Sequence, residues 1–261
     1  IRLFERKAGL FVPASEADTI FEMVHQVYRQ MENLNTAVAS LQKGEDVGLA
    51  FASAPSIAQF IAARVVRGVR NRFPDLFIDL NILKIEETVD YLLLDRGEFV
   101  VMSSPIDNSA LDNELLARGR LVVIVADDHP LAAKSAISVH DLEGEDFIGV
   151  DPDDPYGALL AKPFRDAGIT LRYAMRGRFA QTVVSFVRHG LGVALIDEFS
   201  VAEVYMPGVT RRPLVERAEI TAWVVTRKGR HLSSFAEYTI ERFRREMATA
   251  IARDSWDAPQ C

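Results

Sequence analysis

One cysteine in 261 residues, Cys261 in the polar C-terminal tail, excludes a disulfide framework within the chain. That suits a reducing compartment, and the thiol is expected to be inert and exposed. Long apolar runs are missing too: none approaches the roughly 20 residues of a membrane span. The first residues lack the apolar core of a signal peptide. Basic charge is in deficit, with 30 Lys and Arg against 37 Asp and Glu and a net charge of -7. The bulk surface therefore does not attract nucleic acid, and any such contact must come from a local patch or from residues outside the chain. The chain begins at Ile1, without an initiator Met and inside what looks like structure, so an upstream segment is expected to be missing. With 49% apolar and 26% charged residues the make-up is that of an ordinary soluble globular protein. The length allows two domains with a sizeable core.

Patterns of catalysis and metal binding are also lacking. His25, His129, His140, His189 and His231 are scattered, and no pair has metal-ligand spacing. Each is expected to be structural or solvated. Gly190-Leu191-Gly192 has no third glycine opening a helix, as a dinucleotide fingerprint requires. It reads instead as a helix C-cap followed by a tight turn into a strand. No Gly-x-Ser-x-Gly, phosphate loop or Cys-x-x-Cys occurs. No catalytic residue, metal ligand or cofactor is assigned.

Between residues 15 and 42 proline and glycine are absent, and apolar residues fall at Ala17, Ile20, Val24, Val27, Met31, Leu34, Val38 and Leu41. Steps alternating three and four are the seam of a heptad repeat, which turns one stripe of a helix toward a partner helix. Such a helix spans roughly 40 Å at 1.5 Å per residue. Ser15 is placed to cap its start, with Asp18 three residues on. A second reading stands beside this one: an amphipathic helix packed on its own domain, since Ile20-Phe21 and Val27-Tyr28 widen the stripe. Ahead of the helix, residues 1–12 alternate around Lys7-Ala8-Gly9 as a short hairpin would. A lone hairpin is unstable, so it is expected to be the remnant of a larger unit.

From residue 47 onward strands and helices alternate. Strands are expected at 47–52, 77–83, 99–102, 121–126, 147–150, 170–175, 193–196 and 220–226. Helices are expected at 56–73, 86–94, 156–167, 182–189 and 233–251. Alternation of this kind implies an α/β fold with a parallel sheet. The run LVVIVA at 121–126 is continuously apolar, as a strand buried on both faces must be, and marks a crossing into a second lobe. A second crossing near residue 220 returns the chain. The expected parts are 1–14, a hairpin remnant; 15–44, the long helix; 45–122 with 221–252, lobe I; 123–220, lobe II; and 253–261, a tail.

Two lobes joined by two crossings enclose one cleft, the usual ligand position in open α/β sheets. Residues at the helix starts there are the candidates. Ser53-Ala54-Pro55-Ser56 links a strand to a helix, so Ser56 and the amides beyond it can receive an anion. Gln181 and Thr182 do the same in lobe II, and Ser103 and Ser104 add hydroxyls at a strand end. The loop from Asp151 to Gly157 brings Asp151, Asp153 and Asp154 to another helix start. Asp154 there is either an N-cap or the partner of a ligand ammonium or hydroxyl, with Tyr156 covering it.

These residues resemble a family, the LysR-type transcriptional regulators, over nearly the whole chain except its tail. Leu3-Phe4-Glu5-Arg6 and Val12-Pro13 look like the wing of that family's winged helix-turn-helix and the start of its linker helix. Arg72-Phe73-Pro74, Asp128-His129-Pro130-Leu131-Ala132 and Gly190-Leu191-Gly192-Val193-Ala194-Leu195 are further matches. The resemblance implies a two-lobed, periplasmic-binding-protein-like effector domain of type 2. Before it come a linker and dimerisation helix (Ile20, Val24, Val27, Met31, Leu34, Val38, Leu41) and a wing remnant. It implies a cytoplasmic homodimer or homotetramer, an inducer in the cleft, and no enzyme activity. By position Ser56, Ser103, Tyr156 and Gln181 look like effector contacts; Ser53, Asp154 and Thr182 complete the candidate set. The family's recognition helix has no counterpart here, and Val12 replaces the usual threonine of the wing. DNA is thus the partner of the intact protein, with only Arg2, Arg6 and Lys7 placed to touch phosphate. The ligand class favoured by the acidic loop is an amino-acid-like or opine-like zwitterion. A stand-alone solute-binding protein of the same fold is the alternative.

Overall fold

The computed structural model describes residues 4–7, 10–13, 20, 23, 24, 27, 31, 48–202 and 206–253. The chain forms two compact units, Ile1–Gly48 and Leu49–Cys261. In the first, β1 (Phe4–Lys7) and β2 (Leu10–Pro13) form the antiparallel hairpin that the alternation predicts, with Lys7 opposite Leu10. Ile20, Met23, Val24, Val27 and Met31 are helical. Along the expected seam Val24, Val27 and Met31 are each about half exposed, at 48%, 56% and 57%. Leu34, Val38 and Leu41, like Arg2, Ser15 and Cys261, lie outside the described residues.

In the second unit the elements run β3 (Gly48–Ser53), α1 (Pro55–Ile57), a π-helical turn (Ala58–Ala62), α2 (Ala63–Arg72), β4 (Phe77–Ile82), α3 (Ile85–Leu93), β5 (Phe99–Met102) and β6 (Leu111–Ala126). Then come β7 (Phe147–Gly149), α4 (Pro155–Asp166), β8 (Tyr173–Arg176), α5 (Ala180–Arg188), β9 (Ala194–Asp197), β10 (Val209–Pro213), β11 (Glu219–Arg227) and α6 (Ser234–Arg253). The lobe I sheet has the order β6-β11-β5-β3-β4, with β3 and β5 parallel and β11 antiparallel to both neighbours. In lobe II, β9 and β10 flank the second half of β6, and a bridge from Val193 to Phe147 leads on to the parallel pair β7 and β8.

β6 holds the lobes together. Its residues up to Arg120 pair with β11, and from Leu121 onward they pair with β9 and β10. Leu121 to Ala126 are all buried, as the apolar run requires. The first ten residues of β6 are a correction to the sequence reading, which had no strand there. The reason is local: Trp223 lies opposite Leu115 and Ala222 opposite Ala117, so Leu116 is the extra residue of a β-bulge. A bulge breaks the two-residue alternation, and Asp112, Glu114, Arg118 and Arg120 make the stretch look like a loop. β10 was likewise not anticipated. In it Arg211 Nη1 donates to the Val201 carbonyl at 2.6 Å and Arg212 Nε to the Lys134 carbonyl at 2.6 Å.

Each lobe has its own aromatic core. In lobe I, Phe51 stacks on Phe99 at 4.9 Å, and Phe243 of α6 stands edge-on to both at 5.8 and 6.4 Å. In lobe II, Phe147 meets Phe164 edge-on at 5.2 Å. The return of α6 to lobe I follows from Phe243 and Met247, both at 0% exposure.

Candidate functional site

Four helices begin at one place. Ala54, Lys84, Asp154 and Phe179 are the N-cap residues of α1, α3, α4 and α5, and all four line a cleft between the lobes with a volume of about 60 Å³. The geometry follows from strand-to-helix connections, which in an α/β sheet gather at one edge. Each helix start carries about half a positive charge in unsatisfied amides. No side chain caps α1 or α5. At α1 Pro55 has no amide hydrogen, and the Ile57 and Ala58 amides donate to the Ala54 carbonyl, which leaves the Ser56 amide at that start. At α4 the Asp154 carboxylate does cap, accepting the Tyr156 amide at 2.9 Å.

Of the seven ligand candidates, the cleft brings together Ser56, Ser103, Asp154 and Tyr156. Ser53 is not among its walls. It is fully buried, and its hydroxyl donates to the Ala54 carbonyl at 3.3 Å. Gln181 reaches across the lobes, Nε2 donating to the Pro55 carbonyl at 2.7 Å. Thr182 is exposed and outside the lining; its amide donates to the Phe179 carbonyl at 3.0 Å. The displacement has a simple cause. The helix expected from residue 182 begins two residues earlier, with a phenylalanine at the N-cap.

Sequence reasoning missed Lys84, Glu86, Arg178 and Phe179, which add two cations, an anion and a ring to the walls. Lys84 was within reach, since it sits on a strand-to-helix link just as Ser56 does. Its ammonium lies 3.9 Å from the Asp154 carboxylate, joining lobe I to lobe II across the cleft. Arg178 stacks on the neighbouring Phe179 ring at 5.4 Å.

Beneath Tyr156 lies a residue with no sequence signal beyond its place at a strand end. Asp197, at 0% exposure, accepts from the Ser200 amide at 2.9 Å, the Ser200 hydroxyl at 2.6 Å and the Tyr156 hydroxyl. Burial pushes its carboxyl above the usual range, although the three donors oppose that shift. Burial, and then the Asp197 charge, push the Tyr156 phenol well up, so the phenol keeps its proton and acts as donor. The half-buried Tyr156 ring thus stands in the cleft wall with its hydroxyl end anchored. After Asp197 the chain passes to Glu198, whose Oε1 accepts the Arg120 amide at 2.7 Å where β6 changes sheets.

Among the described residues no group of three His, Cys, Asp or Glu side chains converges as a metal site. No helix among them is long and apolar enough to cross a membrane.

Comparison with known proteins agrees with this geometry. The family model for the LysR substrate binding domain matches residues 43–248. The transcriptional activator protein LysR of Escherichia coli is 25% identical over 217 residues, which cover 81% of this chain and 68% of that protein. Among solved structures, a mutant of OxyR from Corynebacterium glutamicum aligns with a TM-score of 0.67 at 18% identity, covering 97% of this chain and 81% of that one. HinK, a LysR family transcriptional regulator from Pseudomonas aeruginosa, gives 0.67 at 18% identity over 90% of this chain and 81% of its own. The Escherichia coli relative is a transcriptional activator, which favours a regulator over a stand-alone solute-binding protein.

Proposed function

This chain belongs to the LysR substrate-binding domain family, the effector-binding part of LysR-type transcriptional regulators, and from that premise we propose that its cleft takes a small zwitterion. The observation that carries the proposal is the convergence of four helix starts from two lobes, with cations and carboxylates both in the walls. A ligand carboxylate is received by the Ser56 amide at the start of α1, by the uncapped amides of α5 and by the hydroxyls of Ser56 and Ser103. The ligand's cationic group displaces the Lys84 ammonium from Asp154, and the Tyr156 ring covers it. An amino-acid-like or opine-like molecule has this polarity.

The proposed lobes are residues 45–122 with 221–252, and 123–220, and the effector acts by preferring one lobe arrangement over the other. In the intact regulator, a cytoplasmic homodimer or homotetramer, the change passes through the linker helix to the DNA-binding part. The half-exposed Val24, Val27 and Met31 support pairing of that helix with a second copy.

The test is a thermal-shift screen of amino acids, opines, aromatic acids and sugar acids, followed by calorimetry on each hit and on Asp154→Asn. Asparagine is as good an N-cap as aspartate, so α4 is kept and the charge alone is lost. The variant should bind a zwitterionic hit more weakly by about 1–3 kcal/mol. Equal affinity in the two proteins would remove Asp154 from the site.

A further inference from the structure

We infer that the buried turn Glu198–Val201 passes the state of the cleft on to the helix pair α2 and α6, through a line of hydrogen bonds that starts at Tyr156 and ends at Glu246; this rests on the cleft reading above. The turn is a single 3-10 turn behind β9, and its four residues are each at 2% exposure or less. Two acids at its start bind neighbours from other elements. Asp197 caps the turn through the Ser200 amide and accepts the Tyr156 hydroxyl on the same carboxylate, so the cleft wall and the turn share one anchor. Glu198 Oε1 accepts the Arg120 amide at 2.7 Å where β6 leaves β11 for β9. A Cβ on Gly119 would lie 2.7 Å from both that oxygen and the Phe199 ring, so only glycine lets the turn sit this close to β6.

The far end of the turn is bound as well. The Val201 carbonyl accepts Arg211 Nη1 of β10, and the Ala202 carbonyl accepts Arg64 Nη1 at 2.9 Å, from α2 and 138 positions away. Arg64 Nε lies 3.4 Å from the Glu246 carboxylate of α6, and Arg242 Nη2 donates to the other oxygen of that carboxylate at 2.7 Å. The Arg64 and Glu246 side chains are only 16% and 18% exposed. Gly68 brings α2 onto the Arg242 guanidinium, since a Cβ there would lie 2.7 Å from Nε. Buried polar links are often no more stable than apolar packing of the same volume. What they fix is direction, because a hydrogen bond weakens steeply as its angle is lost. A turn bonded at both ends therefore moves with its partners, and rigid elements and bonded networks are what carry coupling between distant sites. A ligand that presses on the Tyr156 ring shifts Asp197, tilts the turn and loads the bond from Arg64 to Ala202.

The experiment is hydrogen exchange read by mass spectrometry on the full chain, for the parent, Tyr156→Phe, Arg64→Lys and Tyr173→Phe. Tyr156→Phe removes one hydroxyl and keeps the ring. It should speed exchange in residues 63–68 and 242–250 about fivefold or more, the low end of coupling between linked sites. Arg64→Lys keeps a charge beside Glu246 but lacks the fork that also reaches Ala202, and by reciprocity it should speed exchange at the start of α4. Tyr173→Phe, on β8 of the same lobe and outside the line, should do neither. Faster exchange in Tyr156→Phe confined to residues 154–160 and 197–201 would overturn the relay. So would equal acceleration throughout the chain in all three variants, which is lost stability alone. Octopine and alanine, an opine and an amino acid, are then added to each protein. A probe that slows exchange around Tyr156 should also slow it in α2 and α6 of the parent, but not in those helices of Arg64→Lys. Slowing that stops at Tyr156 in the parent would overturn the relay and leave the cleft reading standing. Silence of both probes beside coupled variants would count against the zwitterion and uphold the relay.

Discussion

Asp197 ties protonation to folding. Its carboxyl is fully buried and its pKa is raised by that burial above the ordinary 3.8. A group raised on folding contributes most below its unfolded pKa and loses that contribution as pH climbs through the folded value. Asp197→Asn removes the ionisation but also mismatches the donors of Ser200 and Tyr156. The variant should therefore be less stable than the parent, with a gap in denaturant midpoint that narrows as pH rises above 3.8. A gap that widens with pH would mean that the donors outweigh burial. Little of this residue's role was legible beforehand. A strand ending in Leu195-Ile196-Asp197 says nothing about Tyr156, 41 positions earlier, whose hydroxyl it accepts.

At the scale of elements, apolar periodicity found nearly every helix and strand from β3 to α6, because burial on one face or two leaves a pattern in the chain itself. The misses are elements whose stability comes from outside their own residues. β10 is held by guanidinium bonds to distant carbonyls, and the first half of β6 by pairing with β11 around the bulge at Leu116. α6 is the opposite case. Its ring at Phe243 closes the lobe I aromatic cluster against Phe51 and Phe99. Phe243→Ala should cost about 3–5 kcal/mol, as for removal of a large core side chain. Urea denaturation measures it, and a loss under about 1 kcal/mol would place the cluster outside the cooperative core.

At the scale of the whole molecule, the lobes are joined across the cleft by Lys84 with Asp154 and by Gln181 with the Pro55 carbonyl. Neither tie is strong. The ion pair is 3.9 Å long, with both side chains about a third exposed, and contributes about 0–1 kcal/mol. The hydrogen bond adds about 0.5–1.5 kcal/mol. Together they bias closure by at most about 2.5 kcal/mol, or roughly 70-fold in population. On the proposed reading, a ligand that displaces Lys84 would replace a weak tie with stronger ones and so gain differential affinity for one lobe arrangement. The double variant Lys84→Ala with Gln181→Ala should have a larger radius of gyration in small-angle scattering than the parent. An unchanged radius would show that the crossing strands alone set the angle between the lobes.

By itself the sequence determined the class of fold, the two crossings and the region of the cleft. Each of these depends on the order of elements and on local patterns: an apolar run at 121–126, hydroxyls and carboxylates at strand-to-helix links. Only the tertiary structure decided which side chains face one another in that cleft. It drew in Lys84 and Arg178, turned Gln181 to the opposite lobe, left Ser53 beneath the floor, and set Tyr156 on Asp197. The reason is geometric. A shift of one or two residues at a helix start rotates a side chain by about 100° per residue, and contacts between lobes join positions as far as 126 residues apart, a separation that no local pattern records.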